Sequence, residues 1–231
     1  MNACLFCDFD GPLVDVSERY YQVYRSILPQ AAAVGQPLVY LSKPEFWELK
    51  RAQVKEREIG RKSGLSAEQS EVFARLRRQT VHSGPFFNYD AAHPGIHRHL
   101  ERLQAQGVTL AVVTMRRVRE LEPALERFDL SRFFAPERRY CLANDYPKSS
   151  DVHDKGLLLE QSYQYHQQQR CYMVGDTEAD ILSAQRLGIP VLGILSGIRN
   201  KELLQKLAPW GIVNDLGEAA DVILQDLAQH T

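Results

Sequence analysis

Two pairs of carboxylates, each at the end of a short apolar run, are the side chains of this sequence best placed to do chemistry. Asp8 and Asp10 follow the run Ala3 to Cys7 and precede Gly11; Asp176 and Asp180 follow Cys171 to Gly175. A phosphate monoester is ringed by negative oxygens, so a carboxylate can approach its phosphorus only where a divalent metal and a cation offset the charge. Acidic clusters at two strand ends are what such a metal-assisted phosphoryl site would need. An apolar run that feeds directly into a carboxylate delivers it to the carboxyl end of a buried strand, where open α/β sheets place their ligands.

The elements that must position these groups can be read from periodicity. After Asp15, Tyr20, Tyr21, Val23, Tyr24, Ile27 and Leu28 recur at helical spacing, predicting a helix that stops at Pro29. Ser42 with Glu45 forms a capping box opening a second helix through Phe46, Trp47, Leu49 and Val54 that fades by Gly60 or Gly64. Ser66 with Gln69 opens a third, ending before Ser83-Gly84-Pro85. From about His93 the pattern alternates: helix Gly95 to Gln106, strand Val108 to Val113 ending at Thr114, helix Val118 to Phe128, strand Tyr140 to Ala143, helix Lys155 to Tyr165, strand Cys171 to Val174, helix Ile181 to Leu187 and strand Pro190 to Leu195. Such alternation predicts a Rossmann-like, doubly wound parallel sheet with right-handed crossovers. Its core would comprise residues 1–14 and 90–231, with a small α-helical cap domain at 15–89. In a parallel sheet four pieces then meet on one edge: Asp8 with Asp10, Thr114, Lys155 at a helix start, and Asp176 with Asp180.

Composition adds few limits. The chain has 231 residues, 44% of them hydrophobic and 25% charged, with a formal net charge of -1. That balance gives no reason to expect nucleic acid or an anionic membrane as partner. Lys43 to Arg78 holds ten Lys or Arg against six Asp or Glu, a local excess of 10 − 6 = +4 that suits an anionic substrate or a solvated helical surface. No run approaches a membrane span and no leader pattern opens the sequence, so the expectation is a cytoplasmic protein. The strand-end carboxylates add the expectation of a small phosphorylated metabolite as partner, with the chain a monomer or homodimer. Cys4 and Cys7 look like a CxxC pair, yet residues three apart on a strand face opposite ways and no second pair follows; the four cysteines read as reduced core thiols.

Taken in order, the Asp-x-Asp-Gly start, the helical insert, the apolar strand ending in Thr, the lone Lys and Gly-Asp-x-x-x-Asp resemble the haloacid dehalogenase superfamily, in particular its phosphoglycolate phosphatase-like members with a helical cap after the first strand. The likeness spans nearly the whole chain. It implies an Mg²⁺-dependent phosphatase in which Asp8 attacks phosphorus to give an aspartyl-phosphate, and Asp10 donates a proton to the leaving oxygen and later takes one from water. Asp176 would hold Mg²⁺ with the Asp8 carboxylate and the Asp10 main-chain carbonyl, and Asp180 would support that shell. Thr114 and Lys155 would contact the phosphoryl oxygens. Lys148 rivals Lys155; Asp154 before Lys155 and the apolar Leu157 to Leu159 after it favour Lys155, whereas Lys148 lies in a Pro- and Ser-rich loop. The cap would exclude water and select the leaving group.

Two positions depart from the family pattern. Pro12 stands where the family commonly carries Thr, and Arg116 and Arg117 stand where related phosphatases often carry Asn and Lys. Arg116 is counted with the phosphate-binding residues, and with the basic cap stretch it suggests a substrate bearing a second anionic group. Bland readings compete at single positions: helix-start acids for Asp176 and Asp180, an ordinary strand Thr, a surface Lys. Only their combination overturns them. His93, His97 and His99 read as linker and surface histidines, and Tyr20, Tyr24, Phe46 and Trp47 mainly as cap core. A phosphomutase would use the same residues, returning the phosphoryl group to a sugar. A dehalogenase would not need Asp10, Asp176 and Asp180, and a non-catalytic binding protein would not need the intact acidic set.

Overall fold

The computed structural model describes residues 2–230. In chain order, β1 (Ala3–Cys7) and the short β2 (Val14–Asp15) lead into helices α1 (Ser17–Ala31), α2 (Lys43–Arg51), α3 (Glu56–Lys62) and α4 (Ala67–Thr80). A 3₁₀ turn at Gly84–Tyr89 and β3 (Ala91–Ala92) follow. The alternating part comprises α5 (Ile96–Ala105), β4 (Val108–Arg117), α6 (Val118–Arg127), β5 (Arg139–Leu142), α7 (Asp151–Gln164), β6 (Arg170–Gly175), α8 (Glu178–Arg186), β7 (Val191–Ile194), α9 (Lys201–Gln205), β8 (Gly211–Val213) and α10 (Leu216–Gln229).

The chain divides into two compact units. One contains the stretch up to Asp15, Ala92–Gly197 and the part from Lys201 on; the other contains Val16–Ala91 and Ile198–Asn200. In the first, six strands form one sheet in the order β5-β4-β1-β6-β7-β8, every neighbouring pair parallel. This is the doubly wound α/β sheet that the alternating pattern predicts. β1 is central and all five of its residues are buried, which is why its sequence is an unbroken apolar run rather than an alternation. The chain leaves β1 toward β4 and β5 on one side and crosses to β6 on the other. That reversal places a crevice at the carboxyl end of β1. Register fixes what lines it: Cys7 pairs with Val112 of β4 and Val174 of β6, so the residues just beyond those positions emerge together.

The helical unit has its own core, built from Val23, Tyr24, Ile27, Leu28, Phe46, Ile59, Leu65 and Phe73. The Tyr24 ring stacks on Phe46 at 4.8 Å, and its hydroxyl meets Ser63 Oγ at 2.8 Å and accepts from the Leu41 amide at 2.9 Å. Both capping boxes form: Ser42 with Glu45 opens α2, and Ser66 with Gln69 opens α4. Two helix ends differ from expectation. α1 passes Pro29 and ends at Ala31; the proline lacks the amide for its own i→i−4 bond, and the helix stops two residues on. The helix expected from Ser42 to Gly60 is two helices. Gln53 takes φ 56°, its amide donates to Lys50 O at 3.0 Å and that of Val54 to Leu49 O at 3.0 Å, a Schellman stop made without glycine.

In the sheet unit three corrections bear on the site. β4 does not end at Thr114 but runs to Arg117, and its pairing with β5 shifts between Val113↔Tyr140 and Arg117↔Leu142, four residues against two. Such a bulge re-aims the side chains it carries. α7 starts at Asp151, capped by Ser150, whose side chain accepts from the His153 amide, so Lys155 lies in its second turn rather than opening it. The elements after Ile194, ending in β8 and α10, extend the sheet beyond the part read from periodicity.

Candidate active site

Asp8 leaves the end of β1 with its own amide bonded to Val174 O at 3.0 Å, and the Phe9 amide donates to Asp8 Oδ1 at 2.7 Å. These bonds fix the carboxyl against the strand end. Lys155, 1% exposed, reaches it from α7: its Nζ lies 2.8 Å from Asp8 Oδ1 and 2.8 Å from Asp180 Oδ1. Lys148 is exposed in the loop before α7. That loop is held by Asp154, whose carboxylate accepts from the Ser149 amide at 2.8 Å, Ser149 Oγ at 2.7 Å and the Tyr146 hydroxyl at 3.1 Å.

Asp180 is wholly buried and its second oxygen, Oδ2, accepts from the Asp176 amide (3.1 Å), the Thr177 amide (3.0 Å) and Thr177 Oγ1 (2.7 Å). It therefore ties the start of α8 to Lys155. Asp176 is walled by two glycines that the sequence reading did not use as site residues. A Cβ on Gly11, whose φ is +97°, would lie 2.5 Å from Asp176 Cγ, and one on Gly197 would lie 2.0 Å from Asp176 Oδ2. Ser196 Oγ donates to Gly11 O at 2.8 Å and fastens this wall.

Thr114, 2% exposed, sits in the β4 bulge, where its Oγ1 accepts from the Arg116 amide at 3.2 Å. The Arg116 guanidinium, expected at phosphoryl oxygens, lies on Asp10: Nε and Nη2 stand 2.8 and 2.6 Å from the same Oδ1. Its Cζ lies 4.7 Å from the centre of the Phe9 ring. Arg117 turns to the loop after β5, donating to the carbonyl oxygens of Ala143, Asn144 and Tyr146.

Electrostatics here are set by burial first. Burial, opposed by Lys155 and aided by Asp180 and Asp10, pushes the Asp8 carboxyl up to about 7. Burial lowers Lys155, but Asp180 and Asp8 outweigh it and hold the ammonium above the usual lysine range. The Cys7 thiol beneath is pushed well up by burial and by Asp8, and all four cysteines are free. Among the described residues, the group of three or more candidate ligands within 4.8 Å is Asp8, Asp176 and Asp180, all buried. Hard oxygen donors within 4.8 Å of one another and a glycine-walled Asp176 fit a small divalent cation. His97 is elsewhere occupied, with Nε2 2.8 Å from Phe128 O.

A model of the haloacid dehalogenase-like hydrolases matches residues 5–194, the span that holds Asp8, Asp10, Thr114, Arg116, Lys155, Asp176 and Asp180. The chain belongs to this family. It is 22% identical over 236 residues to the phosphoglycolate phosphatase of Pseudomonas syringae pv. syringae, covering 95% of this chain and 82% of the relative. Phosphoglycolate phosphatase 1 of Pseudomonas aeruginosa is 24% identical over 230 residues, with 95% and 81% covered. A predicted phosphatase from Clostridium acetobutylicum has the same fold, with a TM-score of 0.69 at 19% identity over 97% of this chain and 99% of that one. The family match and the parallel sheet together bear out the resemblance drawn from the strand-end carboxylates.

Proposed function

We propose that this protein hydrolyses a small phosphate monoester by attack of Asp8 on phosphorus. The observation that carries the reading is the buried contact of Lys155 with Asp8 and Asp180 at the carboxyl end of β1, with Asp10 two residues on. A surface turn has no use for a lysine buried between two carboxylates, whereas a site that must hold a nucleophilic carboxylate beside a phosphoryl group does.

In the proposed sequence, an Asp8 carboxylate oxygen forms a bond to phosphorus as the bond from phosphorus to the leaving oxygen breaks. Asp10 gives that oxygen its proton. A water then attacks phosphorus, Asp10 takes a proton from it, and the Asp8 carboxylate departs, releasing inorganic phosphate. Thr114 Oγ1 and Lys155 Nζ serve the phosphoryl oxygens, the lysine keeping the charge that its two carboxylates secure. Asp8, Asp176 and the Asp10 main-chain carbonyl would hold Mg²⁺, with Asp180 behind them, and the ion would offset charge on the phosphoryl group. Residues 15–89 are assigned the part of a cap that excludes water, supported by their separate helical core inserted between β1 and α5. The substrate class favoured is phosphoglycolate-like or sugar phosphate, on the names of the relatives.

Phosphate release from a panel of alkyl and sugar phosphates, with and without Mg²⁺, tests this reading. Release that requires the ion and is lowered by about 10³-fold or more in Asp8→Asn supports it. Undiminished release in that variant contradicts it, and turnover that needs a sugar bisphosphate and frees no phosphate would reassign the site to a mutase.

A further inference from the structure

We propose that Arg116 is a positioning residue for Asp10, and that its guanidinium fixes the carboxyl for proton transfer instead of binding the substrate's phosphoryl group. The inference rests on the reading of Asp10 as the group that protonates the leaving oxygen. Two donors of one guanidinium, Nε and Nη2, converge on Asp10 Oδ1 at 2.8 and 2.6 Å. Two such charge-assisted bonds to a single oxygen fix both the distance and the rotation of the carboxyl. The guanidinium is itself fixed: its side chain is 2% exposed, it lies over the Phe9 ring, and the Arg116 amide donates to Thr114 Oγ1. The β4 bulge re-aims this stretch, from a strand with which Asp10 shares no backbone pairing. Transfer of the guanidinium to a phosphoryl oxygen would break both bonds and the ring contact, and Lys155 and Thr114 already supply a cation and a hydroxyl there.

With Oδ1 anchored, Oδ2 is the oxygen assigned to the proton. As the Asp8 oxygen bonds to phosphorus, the Oδ2–H bond of Asp10 breaks, its proton passes to the leaving oxygen, and the electron pair stays on the carboxylate that Arg116 faces. A misaligned acid loses its rate advantage steeply, since displacement of a reacting group by about 1 Å can cost about 100-fold. The loss should depend on the leaving group. An alkoxide needs a proton to depart, whereas p-nitrophenolate leaves as a stable anion and gains little from an acid.

The test compares kcat and KM for the best alkyl phosphate of the panel and for p-nitrophenyl phosphate in wild type, Arg116→Met, Arg116→Lys, Asp10→Asn and the Asp10→Asn/Arg116→Met double variant. Arg116→Met should lower kcat on the alkyl ester by about 10- to 100-fold with KM nearly unchanged, and lower p-nitrophenyl phosphate turnover less than about 3-fold. Arg116→Lys should be intermediate, and the double variant should be no worse than Asp10→Asn alone. Equal losses on both esters with raised KM would make Arg116 a phosphoryl ligand and overturn the proposal. Equal losses with KM unchanged in Arg116→Lys, or additive losses in the double variant, would reduce it to a structural part and overturn it too. Absence of phosphate release by wild type from every ester would instead defeat the phosphatase reading, so the two failures are distinct.

Discussion

Two buried lysines, one in each unit, end up on opposite sides of the usual lysine range. Lys155 is 1% exposed and Lys50 is 9% exposed. Burial disfavours the ammonium in both. Lys155 faces two carboxylates, Asp8 and Asp180, which carry it above its ordinary value. Lys50 shares one carboxylate, Glu56, with Arg77, whose Nε is 3.1 Å from the same oxygen; burial, Arg77 and Arg199 bring it down to about 8 despite Glu56. Both cations lie over the Tyr20 ring, with Arg77 Cζ at 4.7 Å and Lys50 Nζ at 5.9 Å. The lesson is that desolvation sets the scale but the local count of charges sets the sign. A cation outnumbered by carboxylates is held charged; a carboxylate outnumbered by cations makes one of them dispensable.

Substitution should separate the two sites sharply. Lys155→Met leaves Asp8 and Asp180 facing each other in a buried site, so it should cost about 3–5 kcal/mol of stability and about 10³-fold in kcat. Urea unfolding at pH 8 and phosphate release would measure both; retention of near-wild-type stability would break the comparison. Asp180→Asn removes one carboxylate from Lys155 and, with the amide oxygen kept by the Asp176 and Thr177 donors, turns an amide NH2 toward the ammonium. The expected cost is about 1–3 kcal/mol, with a Mg²⁺ requirement raised about 10- to 100-fold, read from activity against ion concentration.

Lys50→Met is the contrasting case. Glu56 keeps Arg77, so the variant should lose no more than about 1 kcal/mol relative to wild type in urea unfolding. A pH dependence follows as well. Lys50 titrates near 8 when folded and about 10.4 when unfolded, so between those values the unfolded chain binds more protons. Stability of wild type relative to Lys50→Met should therefore rise from pH 8 toward 10.5, with the full penalty present below 8. Urea midpoints of both proteins over that range, if parallel, would show that Lys50 is not lowered.

The strand-end carboxylates were legible because their signal is local: an apolar run, then an acid, then Gly11. The parallel sheet followed from alternation, and the capping boxes at Ser42 and Ser66 from side chains that announce helix starts. The break between α2 and α3 was not legible, because Gln53 takes a left-handed conformation without the glycine that usually marks it. The start of α7 rested on one serine, Ser150, in a polar loop. β8 spans three residues, too few for a period to declare itself. Contacts were harder still. Arg116 meets Asp10 across 106 positions, and Gly197 closes on Asp176 from a different loop; no spacing in the sequence encodes either.

During turnover Asp8 should become bonded to phosphorus. A turnover with ³²P-labelled substrate is quenched with acid and divided, one portion being mapped directly and the other after borohydride reduction, which expels the phosphate. Label is expected on the peptide that contains Asp8 in the first portion, homoserine in place of that aspartate in the second, and neither in Asp8→Asn. Turnover with label on another residue, or steady phosphate release with no covalent label at any quench time, would contradict it.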